Sequence, residues 1–88
     1  MSSVIDRPRL IDVEPLVDKK LKLIYNNGEI RIFDVKPYIE RGHLFAHLKD
    51  DALFKKVRVK SSYVSFDERT DFAPGTVYDE SEPFRADS

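Results

Sequence analysis

Residues 20–33 of this 88-residue chain read KLKLIYNNGEIRIF, two alternating runs of apolar and polar residues on either side of Asn27-Gly28. An Asn-Gly pair between such runs is a strong short-range signal for a β-hairpin, because a two-residue type I′ loop needs positive φ at both central positions. That loop predicts a register. Asn26 opposes Glu29, Tyr25 opposes Ile30, Ile24 opposes Arg31, Leu23 opposes Ile32 and Lys22 opposes Phe33. Opposed residues share a face. One face then holds Leu21, Leu23, Tyr25, Ile30 and Ile32 and reads as core. The other holds Lys20, Lys22, Asn26, Glu29 and Arg31, interrupted by the apolar Ile24 and Phe33.

The length allows one domain, with a core large enough to need no staple. The chain has no cysteine, so disulfides, thiolate metal sites and cysteine nucleophiles are excluded. A reducing, cytoplasmic, bacterial setting is expected. The first residues, MSSVIDRPRL, contain no apolar run of signal-peptide or membrane-span length. Net charge is −1, which gives no global field toward nucleic acid. The charge is unevenly placed: residues 1–66 hold 13 Lys/Arg against 9 Asp/Glu, and residues 67–88 hold 2 against 7. An acidic tail therefore follows a mildly basic body.

Along the chain, RLIDVEPLV (9–17) alternates as a strand. Pro15 cannot donate to a ladder, which places this strand at an edge or a bulge. Asp18-Lys19 supplies a turn into the hairpin. Asp34 is a capping residue for a short helix, VKPYIER, with Gly42 as its stop. HLFAHL is ambiguous, since Leu44, Phe45 and Leu48 fit one helical face but the run is too short to decide, and Asp50 or Asp51 caps a turn through Leu53 and Phe54. KVRVK and YVSF, separated by Ser61-Ser62, read as a second hairpin with Val57 and Val59 inward. Phe72, Val77 and Tyr78 read as a lid packed back on the sheet. The expected architecture is α+β: an antiparallel three-stranded N-terminal meander, short helices, and a C-terminal β-hairpin with a lid segment. The domain is expected over residues 9–81, with 1–8 and 82–88 as flexible tails.

The ordered landmarks Pro15-Leu16, Gly28, Phe33-Asp34, Pro37, Leu48, Asp50, Phe54, Asp71-Phe72, Pro74 and Tyr78 resemble the bacterial domain-of-unknown-function family 2442 over about residues 10–81. Family members often carry Trp where Phe66 stands. The resemblance implies a small α+β domain with no established enzyme activity. It also implies that relatives occur alone, beside a helix-turn-helix segment, or encoded next to another small protein in toxin–antitoxin-like pairs. The short stretch after Tyr78 has no room for a helix-turn-helix, so a stand-alone form is expected.

Few residues suggest chemistry. His43, His47 and Asp51 are spaced i, i+4 and i+8, which on one α-helix would stack them as divalent-metal ligands. There is no HExxH pattern, and packed or solvated histidines are the ordinary reading. Lys55, Lys56, Arg58 and Lys60 form the densest basic cluster, with Arg58 and Lys60 projecting from one face of a strand. Such a face suits phosphate, but lysines guarding a sheet edge look the same. Asp67, Glu68 and Asp71 lack calcium-loop spacing. No glycine-rich phosphate loop and no serine elbow are present. The expectation is a non-enzymatic protein-interaction module without cofactor or metal, in the manner of the binding half of a toxin–antitoxin-like pair. Its partner would be another small protein or a second copy, docking on Ile24, Phe33, Lys22 and Arg31. A nucleic-acid-associated regulator using the basic strand is the alternative, and a small metal-dependent enzyme the next. No membrane contact is expected.

Overall fold

The loop at Asn27-Gly28 is one residue longer than the type I′ geometry allows. In the computed structural model, which describes residues 8–67 and 70–84, the Tyr25 amide donates to the Glu29 carbonyl (2.9 Å) and the Gly28 amide to the Tyr25 carbonyl (3.0 Å). Gly28 has φ +92°, while neither Asn26 nor Asn27 has positive φ. This is a three-residue loop, a type I turn followed by a glycine bulge. Asn27 favours it directly: its Oδ1 accepts from the Glu29 amide (3.0 Å) and its Nδ2 donates to Glu29 Oε1 (2.9 Å).

The extra residue shifts the register by one and turns the second strand over, because side chains alternate with period two. Strands β2 (Lys20–Tyr25) and β3 (Ile30–Asp34) pair Leu21 with Phe33, Lys22 with Ile32, Leu23 with Arg31 and Ile24 with Ile30. Phe33 therefore enters the core at 1% exposure. Ile30 and Ile32, expected inside, lie with Ile24 on the opposite face. The physical reason is visible in the packing. Phe33 reaches the rings of Tyr38 and Phe72, with centroids 5.8 and 5.2 Å away. The type I′ register would have left this large ring beside charged residues.

β1 (Leu10–Leu16) pairs antiparallel with β2, so the expected meander forms and Pro15 lies on an edge strand. The β1–β2 turn holds Asp18 and Lys19 at φ 65° and 59°. A left-handed residue other than glycine costs about 1–2 kcal/mol. Lys19 offsets this cost by donating Nζ to the Lys49 carbonyl (3.0 Å), pairing with Asp51, and lying 5.2 Å from the Phe54 ring centre.

Short helices carry the chain to a second sheet. α1 (Lys36–Glu40) begins beyond Asp34, whose Oδ1 accepts from the Lys36 amide (3.0 Å), and stops at Gly42, φ +80°. His43–Lys49 is a 3₁₀ segment and α2 is a single turn, Asp51–Phe54, capped by the Asp50 carboxylate on the Ala52 amide. β4 (Arg58–Lys60) and β5 (Tyr63–Asp67) pair through a two-residue loop in which Ser61 and Ser62 both have positive φ. The type I′ signature thus occurs in the second hairpin rather than the first.

β6 (Thr70–Phe72) adds a third strand to that sheet, where only loop and lid were expected. α3 (Pro74–Glu80) follows, with Val77 buried, and touches both β3 and β5. β7 (Glu82–Pro83) then pairs with β3, giving the first sheet the order β1-β2-β3-β7. Residues 82–84 are therefore part of the fold and not of a tail. Residues 1–7 and 85–88, the remainder of the expected tails, lie outside the described residues. The core lies between the inner faces of the two sheets: Leu21, Leu23, Tyr25 and Phe33 from one, Val64, Phe66 and Phe72 from the other, closed by Val35, Ile39, Leu48, Phe54 and Val77.

The register makes a direct prediction. Phe33→Ala should cost about 3–5 kcal/mol, as for other buried aromatics. Ile32→Thr, on the outer face, should cost less than about 1 kcal/mol. Chemical denaturation of the two variants checks the assignment, and the reverse ranking would restore the type I′ pairing.

Candidate interaction surface

The shifted register builds a face the type I′ loop would not have made. Beyond the bulge at Ile11, cross-strand neighbours on the outer side of the first sheet run in rows. One row is Asp12 (β1), Ile24 (β2) and Ile30 (β3). The chain just past β7 continues it, because the Phe84 amide donates to the Ile30 carbonyl (2.9 Å) in the same register. The next row is Glu14, Lys22, Ile32 and Glu82, and a third holds Leu16, Lys20 and Asp34. The end of the face nearest the first hairpin loop is thus apolar: Ile24, Ile30, Ile32 and Phe84. The far end is charged. The three isoleucines are half-buried by their neighbours in the sheet, and Phe84 is 43% exposed. None of the four belongs to the hydrophobic core or packs against it among the described residues. Lys22 extends across this patch, its Nζ 5.7 Å from the Phe84 ring centre. Its alkyl stem covers apolar surface while the ammonium stays wet.

Of the residues expected at a partner surface, Ile24 and Lys22 lie on this face and Phe33 and Arg31 do not. Phe33 is core. Arg31 points to the inner side, at the rim, where its charge is fully employed. Its Nε donates to Ser81 Oγ (2.6 Å), one terminal nitrogen to the Ser81 carbonyl (2.8 Å), and the other to Glu29 Oε2 (3.2 Å). The guanidinium stacks 4.3 Å from the Tyr78 ring centre, and Tyr78 donates its hydroxyl to Glu29. This cluster ties the tip of the first hairpin to the end of α3 and holds β7 against β3. Hydrogen bonds from Asn27, Tyr78 and Arg31 hold the Glu29 carboxyl below the usual carboxylate range. Burial, opposed by the nearby Arg31, pushes Tyr25 up to about 12.

The other candidates are brought together less closely than their spacing suggested. Arg58 and Lys60 project from β4 and are exposed. Lys55 instead lines a cleft of about 470 Å³ at the β1–β2 turn, beside Val17, Lys19 and Asp51. Asp71 lies on the same side as Arg58, since both oppose Ser65. The expected basic patch is thereby divided and partly countered. In the 3₁₀ geometry of 43–49, residues four apart do not stack on one side. The side chain of His43 and all of Glu68 lie outside the described residues. Asp51 pairs with Lys19. Among the described residues no group of three His, Cys, Asp or Glu is placed to hold a metal ion. His47 Nε2 lies 3.1 Å from both Asp67 Oδ2 and Thr70 Oγ1. A hydroxyl-activating relay needs one ring nitrogen for each partner. A nitrogen that donates to Asp67 has no lone pair for the Thr70 proton.

Two predictions follow from the rim cluster. Arg31→Ala removes three donors to Ser81 and Glu29, so β7 should loosen and the Phe84 amide should lose hydrogen-exchange protection well before the β2–β3 amides; uniform loss of protection would show that Arg31 supports the whole sheet instead. The second concerns alkaline stability. Between pH 10 and about 12 the folded chain keeps the Tyr25 proton that the unfolded chain has released. The folded state then binds more protons, and stability falls as pH rises through that window. Tyr25→Phe should flatten this fall in denaturation midpoints measured from pH 9 to 12. Part of it should remain, since burial and Glu80 also raise Tyr38 to about 12.

No helix among the described residues is long and apolar enough to cross a membrane. Comparison with curated proteins and with solved structures finds no match. Comparison with protein families finds one, over residues 10–83, which takes in every strand from β1 to β7: the chain belongs to the family described as "Protein of unknown function (DUF2442)".

Proposed function

We propose that this chain is a non-enzymatic protein-binding module whose working surface is the outer face of the four-stranded sheet. The observation that carries the reading is the cluster of Ile24, Ile30, Ile32 and Phe84 at one end of that face, bordered by Lys22, Glu82 and Asp12. Four large apolar side chains gathered on one side of a sheet, with charges around them, have the composition of an interface: an apolar centre and a polar rim. Scattered apolar surface residues need no such account, but contiguous ones do. The mixed signs of the rim favour a protein partner over nucleic acid, which would require a surface of one sign. A folded partner of similar size, presenting its own apolar surface, is the chemistry this face fits.

The reading is tested by recovering tagged wild-type chain and a chain carrying Ile24→Lys and Ile32→Lys from the cells of its source. Both changes lie outside the core, so far-UV circular dichroism should be unchanged. A partner, whether a different protein or an untagged copy of this one, should be retained by the wild type and lost from the variant. Equal retention by both overturns the assignment of the surface.

A further inference from the structure

We infer that the outer sheet face pairs with a second copy of itself, face to face, about a two-fold axis running along β3. This deepens the interaction reading above and rests on it. β3 has β2 on one side and β7 on the other. A two-fold axis along β3, lying between two facing sheets, exchanges those sides. Ile24 of one copy then meets Phe84 of the other, and the Lys22 position of one copy faces the Glu82 position of the other, which its ammonium reaches by leaving the Phe84 ring of its own chain. Ile30 and Ile32 meet their own counterparts at the centre. In the two rows nearest the first hairpin loop the apolar residues of β2, β3 and β7 face apolar residues and Lys22 faces Glu82, while the third row, where Asp34 would meet its own copy, marks the end of the contact. The arrangement is isologous, as a closed dimer requires, and it keeps the strands of the two sheets nearly aligned, the common geometry of packed sheets.

Other axes do worse on the same rows. An axis along β2 would set Asp12 against Ile30, Glu14 against Ile32, and Lys22 against its own copy. An axis across the strands at the row of Ile24, Ile30 and Phe84 would bury that row and leave Lys22 and Glu82 without facing charges. Within one chain, Lys22 and Glu82 are separated by Ile32, and neither forms an ion pair among the described residues. The pair that β3 keeps apart in one copy is completed by the second.

Three strands about 4.8 Å apart and two rows of side chains give a contact on the order of a few hundred Å² per copy. That is the low end for specific pairs, so association should appear across about 10 μM to 1 mM. Sedimentation equilibrium over this range should show the mass rising from 10.2 kDa toward twice that value. Ile30→Lys should hold the chain at the monomer mass with an unchanged unfolding midpoint. Lys22→Glu alone, and Glu82→Lys alone, should each weaken association at least about tenfold, because carboxylate then meets carboxylate or ammonium meets ammonium. Both changes in one chain should restore it, and an equimolar mixture of the two single variants should form a mixed dimer.

A wild type that stays monomeric to 1 mM overturns the self-pairing. So does a dimer untouched by Ile30→Lys, which would use another surface. So does a dimer that appears only when residues 1–7 or 85–88 are removed, which would make one of those segments the occupant. The broader reading is judged separately: a monomeric wild type that still captures a different protein, in a manner lost with Ile24→Lys and Ile32→Lys, ends the self-pairing and leaves the binding module standing.

Discussion

The bond from the Tyr25 amide to the Glu29 carbonyl is the constraint on which the rest of the molecule depends. It closes a loop of three residues instead of two, and so decides which side of β3 faces inward. With that bond in place Phe33 joins the core and Arg31 reaches the rim, while Ile30 and Ile32 turn outward. A loop shorter by one residue would invert all four. The energetic preference comes from outside the hairpin. Phe33 finds Phe72, Tyr38 and the buried aliphatic residues of both sheets. No equivalent set of contacts exists on the other side of the strand among the described residues.

An arginine on the inner side of a sheet is costly unless its charge is paired and hydrogen-bonded. Arg31 meets that condition by lying over Tyr78 and binding Ser81 and Glu29. The same contacts fix α3 and deliver β7 to β3. The chain after α3 would otherwise have no reason to return to the first sheet, since a two-residue strand supplies little ladder energy of its own. The polar rim and the aromatic interior are thus complementary. The rings of Phe33, Tyr38, Phe45, Phe66 and Phe72 form one connected cluster between the sheets. Arg31 lies instead over Tyr78, which packs edge-on against Tyr25.

The outer face is a consequence of these two facts and not an independent design. The loop sends Ile30 and Ile32 outward beside Ile24, and Arg31 brings Phe84 alongside Ile30. A surface assembled in this way, from both ends of the chain, exists only in the completed fold. Its centre offers a partner no backbone edge, since β2 and β3 are interior strands. Recognition there would rest on side chains, with the lysine and the carboxylates setting orientation.

The amino-acid sequence by itself determined the class of structure and most of its punctuation. Alternation marked β1 to β5, Pro15 marked an edge, Gly42 ended α1 and the Asp50-Asp51 pair marked the start of α2, because these signals act through a residue's own backbone or its nearest neighbours. The order of landmarks was enough to indicate the family. The side of the first hairpin that faces the core was decided by tertiary structure. Asn27-Gly28 is compatible with a two-residue or a three-residue loop, and both registers place three or more apolar residues on one face, so local chemistry could not separate them. The choice needed Phe72 and Tyr38, which lie far along the chain or on the following helix. β6 and β7 were equally hidden, being too short to alternate legibly and formed by partners distant in sequence. The candidate surface depends on both the register and β7, and for that reason its four apolar residues could be assembled only from the fold.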